Sequence, residues 1–144
     1  MRIWKSPFVD LGVETGAYAA GDALGSKGSF SGVPEHGYIV GVVVQDRDKE
    51  HPVFDIVFFD NDDIGGTTDN AAFAPTDAEL AFSAGSIRVS DYLAFNTNAL
   101  GMVSDVRVPF WAREGSLYFQ CAIRAAHTFT AVTDLQITVY IEVP

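Results

Sequence analysis

The chain is poor in the residues that most often announce a function. Only one of its 144 residues is cysteine, Cys121, so no internal disulfide can form and no Cys/His zinc pattern is available. Nine basic residues stand against nineteen acidic ones, a net charge of −10. Such a surface repels a phosphate backbone, which is held by clustered Lys and Arg, and no direct contact with nucleic acid is expected. Apolar runs are short as well. Val40-Gly41-Val42-Val43-Val44 is among the longest, far below the ~20 residues of a membrane helix. The opening Met1-Arg2-Ile3-Trp4-Lys5-Ser6-Pro7 lacks the continuous apolar stretch of a signal peptide, so neither membrane attachment nor export is expected.

What is present is core-forming material: 48% hydrophobic and 19% charged residues, enough for one domain spanning 1–144 without a staple. Alternation is clearest near the end. Leu117, Phe119, Cys121 and Ile123 share one face of a strand, and Leu135, Ile137, Val139 and Ile141 share one face of the next. The residues 125–134 would close these two as an antiparallel pair. Tyr38–Val44 and Val53–Phe59 are further β-branched and aromatic runs, joined by a charged connection ending in Pro52 and read as a hairpin. Shorter strands are expected at Ala23-Leu24, Ser29–Ser31, Ser86–Val89 and Val103–Phe110. One stretch reads as helix: Thr76 and Glu79 have capping-box spacing, predicting a helix over Asp77–Phe82. Many short strands without a βαβ rhythm predict an all-β fold, an antiparallel sandwich of the jelly-roll kind, with inner faces from Phe54, Ile56, Phe58 and the two alternating strands.

No catalytic spacing emerges. Asp60-Asn61-Asp62-Asp63, with Asp55 upstream, offers oxygens suited to calcium, but the glycines that follow and the missing glutamate break the EF-hand pattern. A turn made by Asp and Asn side chains is the favoured reading, and no metal is expected. His36, His51 and His127 are isolated in sequence and read as solvated or hydrogen-bonded. Cys121 reads as a small hydrophobe, and Gly28-Ser29-Phe30-Ser31-Gly32 has Phe30 where a nucleophile elbow needs serine. No carboxylate pair stands out among Glu14, Glu35, Glu79, Glu114 and the aspartates. Trp4, Trp111, Tyr18, Tyr92, Tyr118 and Tyr140 could stack on a sugar, though filling of core and interface is favoured.

Several stretches together resemble the small structural proteins that coat or decorate capsids of tailed bacteriophages. They are Tyr18-Ala19-Ala20-Gly21-Asp22-Ala23-Leu24-Gly25, Gly37–Asp46, Phe54–Asp60, Asp69–Phe73 with Thr76–Leu80, Val108-Pro109-Phe110, Gly115–Tyr118 and Thr133-Asp134-Leu135. The resemblance implies a β-sandwich without catalytic residues or cofactor, made in the host cytoplasm and carried on the virion. Its implied partner is the outer surface of the major capsid protein lattice, and it would be homo-oligomeric, most simply a trimer. Residues 1–13 lie outside the matched part. Ile3, Trp4 and Phe8 in this arm are expected to bind the partner, because no inner face is apparent for them, and removing 1–8 is expected to leave the fold intact. The competing reading is a carbohydrate- or receptor-binding module of a phage tail or fibre.

Overall fold

The computed structural model describes residues 2–62 and 64–144. Its strands form antiparallel sheets packed face to face, an all-β sandwich. Among the described residues the larger sheet has seven strands: β1 (Arg2–Lys5), β2 (Val9–Asp10), β5 (His36–Asp46), β8 (Tyr92–Ala94), β9 (Ala99–Val103), β10 (Val108–Trp111) and β13 (Leu135–Val143). The central pair is β13 with β5. Both β1 and β2 lie along the free side of β13, while β9 and β10 share the other side of β5, and β8 extends from β9. The smaller sheet runs β4 (Ala23–Ser31), β11 (Ser116–Ile123), β6 (Phe54–Phe59) and β7 (Ser83–Val89). A short pair, β3 (Ala17–Tyr18) with β12 (His127–Thr128), closes one end.

Period-two alternation fills the space between the sheets. Ile39, Val42, Val44, Leu135, Ile137, Val139 and Ile141 face Phe54, Ile56, Phe58, Leu117, Phe119, Cys121 and Ile123, and all are buried. Each such side chain contributes roughly 1.5–3 kcal/mol on leaving water. Burial pushes the Cys121 thiol well above its ordinary value, so it packs as a hydrophobe and is held away from thiolate chemistry.

Pairing differs from expectation in two places. β5 and β6 do not form a hairpin, since they belong to different sheets and the connection 47–53 carries the chain across the sandwich. The Asp46 carboxylate shapes that crossing by accepting the amides of Asp48, Glu50 and His51. Likewise β11 and β13 do not pair with each other, but lie in opposing sheets with β12 between them in sequence. Alternation specifies which side of a strand is dry, and in a sandwich two consecutive strands satisfy it equally well by facing each other.

The expected arm is structure. Arg2–Lys5 pairs with Val143–Tyr140 as β1, Trp4 packs half-buried against the core opposite Ile141, and Leu11 and Val13 are buried in it. Ser6, almost fully buried, bonds Thr138 at 2.8 Å through its hydroxyl, accepts from the Val139 amide and takes the Thr138 hydroxyl on its carbonyl at 2.6 Å.

Residues 60–62 and 64–82 lie outside the strands of the smaller sheet and cross its outer side, and polar groups pin them there. Gln120, buried on that side, donates to the carbonyls of Gly25 and Thr67 and accepts from the Thr67 amide. Asp69 takes the Tyr18 hydroxyl at 2.7 Å and the Gly25 amide at 2.8 Å. Asn70 and Phe73 donate to Ala23 and Gly21, and the Ala71 carbonyl accepts from Ala23. This cover explains why Gln120 and Ala122, on the expected outer face of β11, are buried.

The helix within this excursion, α1 (Asp77–Leu80), is shorter than the expected Asp77–Phe82, because Ala81 caps it and β7 begins at Ser83. Its capping box is formed: Thr76 Oγ1 accepts from the Glu79 amide, and Glu79 accepts from the Thr76 amide. These bonds, with one from the Gly66 amide, hold the Glu79 carboxyl below its usual range. Thr76→Ala should lower stability by ~1 kcal/mol, the usual worth of such a cap, as a shift in the urea midpoint. An unchanged midpoint would mean that the single turn is held by its ends alone.

Candidate interaction surface

Much of the outer face of the seven-stranded sheet is apolar, around the paired Gln45 and Gln136, and cross-strand register shows which residues share it. Leu93 stands opposite Leu100, Met102 opposite Val43, and Ile3 and Tyr38 flank Glu142 on either side, with Pro109 beyond Tyr38. Trp111 faces His36 at the end of β10. Leu93 is 63% exposed, Met102 57%, Ile3 51% and Trp111 48%. Val40, Val43 and Tyr140 are half-buried between them. A β-bulge at Val40, where the register with β13 slips between Tyr140 and Ile141, bends this surface.

Shallow grooves run along the face. The largest, about 510 Å³, is bordered by Glu35, His36, Tyr38, Pro109, Trp111 and Pro144. A second of about 240 Å³ lies between Ile3, Val40, Met102 and Tyr140, and a third of about 370 Å³ between Asp91, Leu93 and Leu100. Three of the charges here, Lys5, Arg107 and Glu142, are paired or laid on rings, while Glu35 and Asp91 border the grooves. Arg107 Nη1 donates to both carboxylate oxygens of Glu142, at 3.1 and 3.0 Å, while the guanidinium covers the Tyr38 ring at 3.7 Å. Lys5 lies over both Phe8 and Tyr140. A largely apolar expanse rich in aromatics and Met, with charges at its borders, has the composition of an interface, whose core is depleted of charge and enriched in aromatics and Met.

The residues singled out from sequence are thus divided. Ile3 and Phe8 belong to this face, whereas Trp4 points to the core side of β1. Tyr140 and Trp111 join the face; Tyr18 is buried against Phe129 with its hydroxyl raised by burial, and Tyr92 stacks on His51. Among the described residues of the acidic stretch, Asp60 accepts the Trp111 amide, Asp62 pairs with Lys27, and Asp55 is shared by Arg88 and Arg124, which hold it below the usual carboxylate range. Asp63 lies outside the described residues. Glu14 bonds Asn70, and Phe30 stacks on Phe119 in the core at 4.8 Å.

One polar cluster went unseen in the sequence. Asp48, Glu50 and Asp134 bring carboxylate oxygens within 4.8 Å of one another, with His127 on Glu50 and the Thr130 hydroxyl among them. These three carboxylates are the described group close enough to hold a metal ion. Burial, then the Asp134 carboxylate, push Glu50 up to about 7 against the pull of His127. Asp134 is held low despite its burial, by bonds from Glu50, Thr130 and Ala131. No motif signals the cluster, because its members come from two distant connections.

No protein-family model, curated protein or solved structure matches the chain.

Proposed function

We propose that the protein is a phage virion component that decorates the capsid, docking the outer face of its seven-stranded sheet onto the major capsid protein lattice. The observation that carries this reading is the apolar face itself, with four large side chains from Ile3, Leu93, Met102 and Trp111 each about half exposed or more. The resemblance of the chain to capsid decoration proteins supplies the partner. Ile3 and Phe8 contribute to the contact from β1 and the segment after it. The work done is mass action: a protein that binds the assembled lattice and not its free subunits shifts the equilibrium toward the lattice. A homotrimer is part of the proposal, closed symmetry being the common solution for soluble homo-oligomers. No catalytic step is assigned.

The test introduces charge where side chains already meet solvent. Met102→Glu combined with Leu93→Glu should leave the circular dichroism spectrum unchanged and lower occupancy on purified capsids at least tenfold, since an unpaired charge in an interface core costs more than ~1.4 kcal/mol. Undiminished occupancy would remove this face from the contact. A second reading, a carbohydrate-binding module of a tail or fibre, is favoured by the groove bordered by Trp111, Tyr38, Glu35 and His36. Binding to a glycan array that is lost on Trp111→Ala, with capsid occupancy unaffected, would select it.

A further inference from the structure

A strand at the margin of a sheet offers a row of unpaired amides and carbonyls, which natural proteins blunt with charge, proline or a covering segment. β1 carries Arg2 and Lys5 and is followed by Pro7. β4 and β7, the margins of the smaller sheet, carry Lys27 and Arg88, and are approached by Leu11 at Gly25 and by Val108 at Gly85. β8 has none of these devices. It ends the path of the larger sheet, and among the described residues no strand pairs with its far side. Residues 92–104 hold no charged side chain, the longest such run in the chain, and Leu93 and Phe95 are exposed.

The hydrogen bonds of the β8–β9 hairpin show what that far side offers. The Met102 amide donates to the Asp91 carbonyl, and the Phe95 amide to the Asn98 carbonyl. Bonded pairs alternate along an antiparallel ladder, so Asp91, Leu93 and Phe95 turn their backbone polar groups toward β9. Tyr92 and Ala94 therefore turn theirs outward.

We propose that β8 is a self-pairing edge, at which two copies of the chain join β8 to β8 antiparallel, about a two-fold axis at Leu93 and normal to the sheet. Tyr92 of each copy then exchanges amide and carbonyl bonds with Ala94 of the other, and Leu93 meets Leu93 with Leu100 beside each. Asp91 falls opposite Phe95 of the second copy and away from its own counterpart. Charge selects this occupant and this edge. Two copies carrying −10 each repel, and here they meet without setting carboxylate against carboxylate. β1 paired to itself over its length would instead set Arg2 opposite Lys5, and like charges directly opposite are destabilising. The contact goes beyond the capsid reading and does not depend on it. An axis normal to the sheet leaves both outer faces on one side, open to a common surface, and an isologous contact closes with one partner, so it is separate from the trimer contact.

A strand of 3 residues with Leu93, Leu100 and Phe95 buries less than a standard interface, and a Kd on the order of 0.1 mM is expected. The experiment measures amide exchange by NMR on the full chain at about 20 µM and about 1 mM, either side of that value, with sedimentation of the same samples. The amides of Tyr92 and Ala94 should exchange about fourfold more slowly at the higher concentration, as mass action requires of a bond made only in the pair. Those of Leu93 and Phe95, already bonded within the hairpin, should not change. Ala94→Pro removes an outward amide and no bond to β9, the setting in which an edge strand accepts proline. It should keep the circular dichroism spectrum and abolish both the slowing at Tyr92 and the gain in mass. Leu93→Lys, which sets two ammonium groups at the axis, should do the same and decides the matter if the proline variant does not fold. Exchange at Tyr92 and Ala94 that is independent of concentration would overturn the proposal. Association that persists in both variants would do so as well, since the copies would then meet elsewhere. Ala94→Pro leaves the Leu93 and Met102 side chains in place, so its outcome is read separately from the capsid test.

Discussion

Gly25→Ala should be among the most damaging single substitutions in this protein, costing more than about 4 kcal/mol. Gly25 has φ +79°, and a Cβ there would sit 2.0 Å from the Leu11 carbonyl oxygen. That oxygen belongs to the backbone and cannot swing aside as a side chain would. Moving Leu11 would disturb the core, where both Leu11 and Val13 are buried. Gly25 also donates to Asp69 and accepts from Gln120, the residues that fasten the excursion over the smaller sheet. Gly12 is the control: φ is +67° and a Cβ there would meet nothing within 4 Å, so alanine should cost only the left-handed penalty of roughly 1–2 kcal/mol. Urea unfolding of both variants decides the matter. Equal midpoint shifts would mean that backbone conformation alone, and not the approach to Leu11, makes glycine necessary at position 25.

Removing residues 1–8 should destabilise the fold by more than about 3 kcal/mol, contrary to the reading of the N-terminus as a dispensable arm. The deletion strips β1 from β13 over four register pairs and takes away Trp4, which packs on the core. It also removes Ser6, the partner of both the buried Thr138 hydroxyl and the Val139 amide. Each buried polar group left unsatisfied costs about 1–3 kcal/mol. Ser6→Ala isolates that part: it retains the strand and should cost about 1–3 kcal/mol on the same ground. A lower denaturant midpoint for the deletion, with a partial loss for Ser6→Ala, is the expected result, and an unchanged midpoint would return these residues to the status of an arm. Capsid binding by the truncated chain would mix contact with stability, so Ile3 and Phe8 should be tested one at a time.

The sequence by itself determined the class of fold and much of its interior. The strict alternation of Leu135, Ile137, Val139 and Ile141, and of Leu117, Phe119, Cys121 and Ile123, is satisfied only if one side of each strand is dry, and every one of these side chains is buried. The capping box of Thr76 and Glu79 was equally legible, because its bonds join residues three apart and need no tertiary partner. Strand partners were decided by the tertiary structure alone. Alternation fixes a face and not a neighbour, so two hairpins that looked natural from adjacency became crossings between sheets. The same limit hid the structural role of Ser6, whose partners lie at Thr138 and Val139, and the meeting of Glu50 with Asp134 and His127. It also hid the candidate surface, for Ile3, Leu93, Met102 and Trp111 sit on four separate strands whose common face exists only once the sheet has formed. Local order is set by bonds between near residues and is written along the chain. Shared surfaces depend on long-range pairing, which the folded core selects.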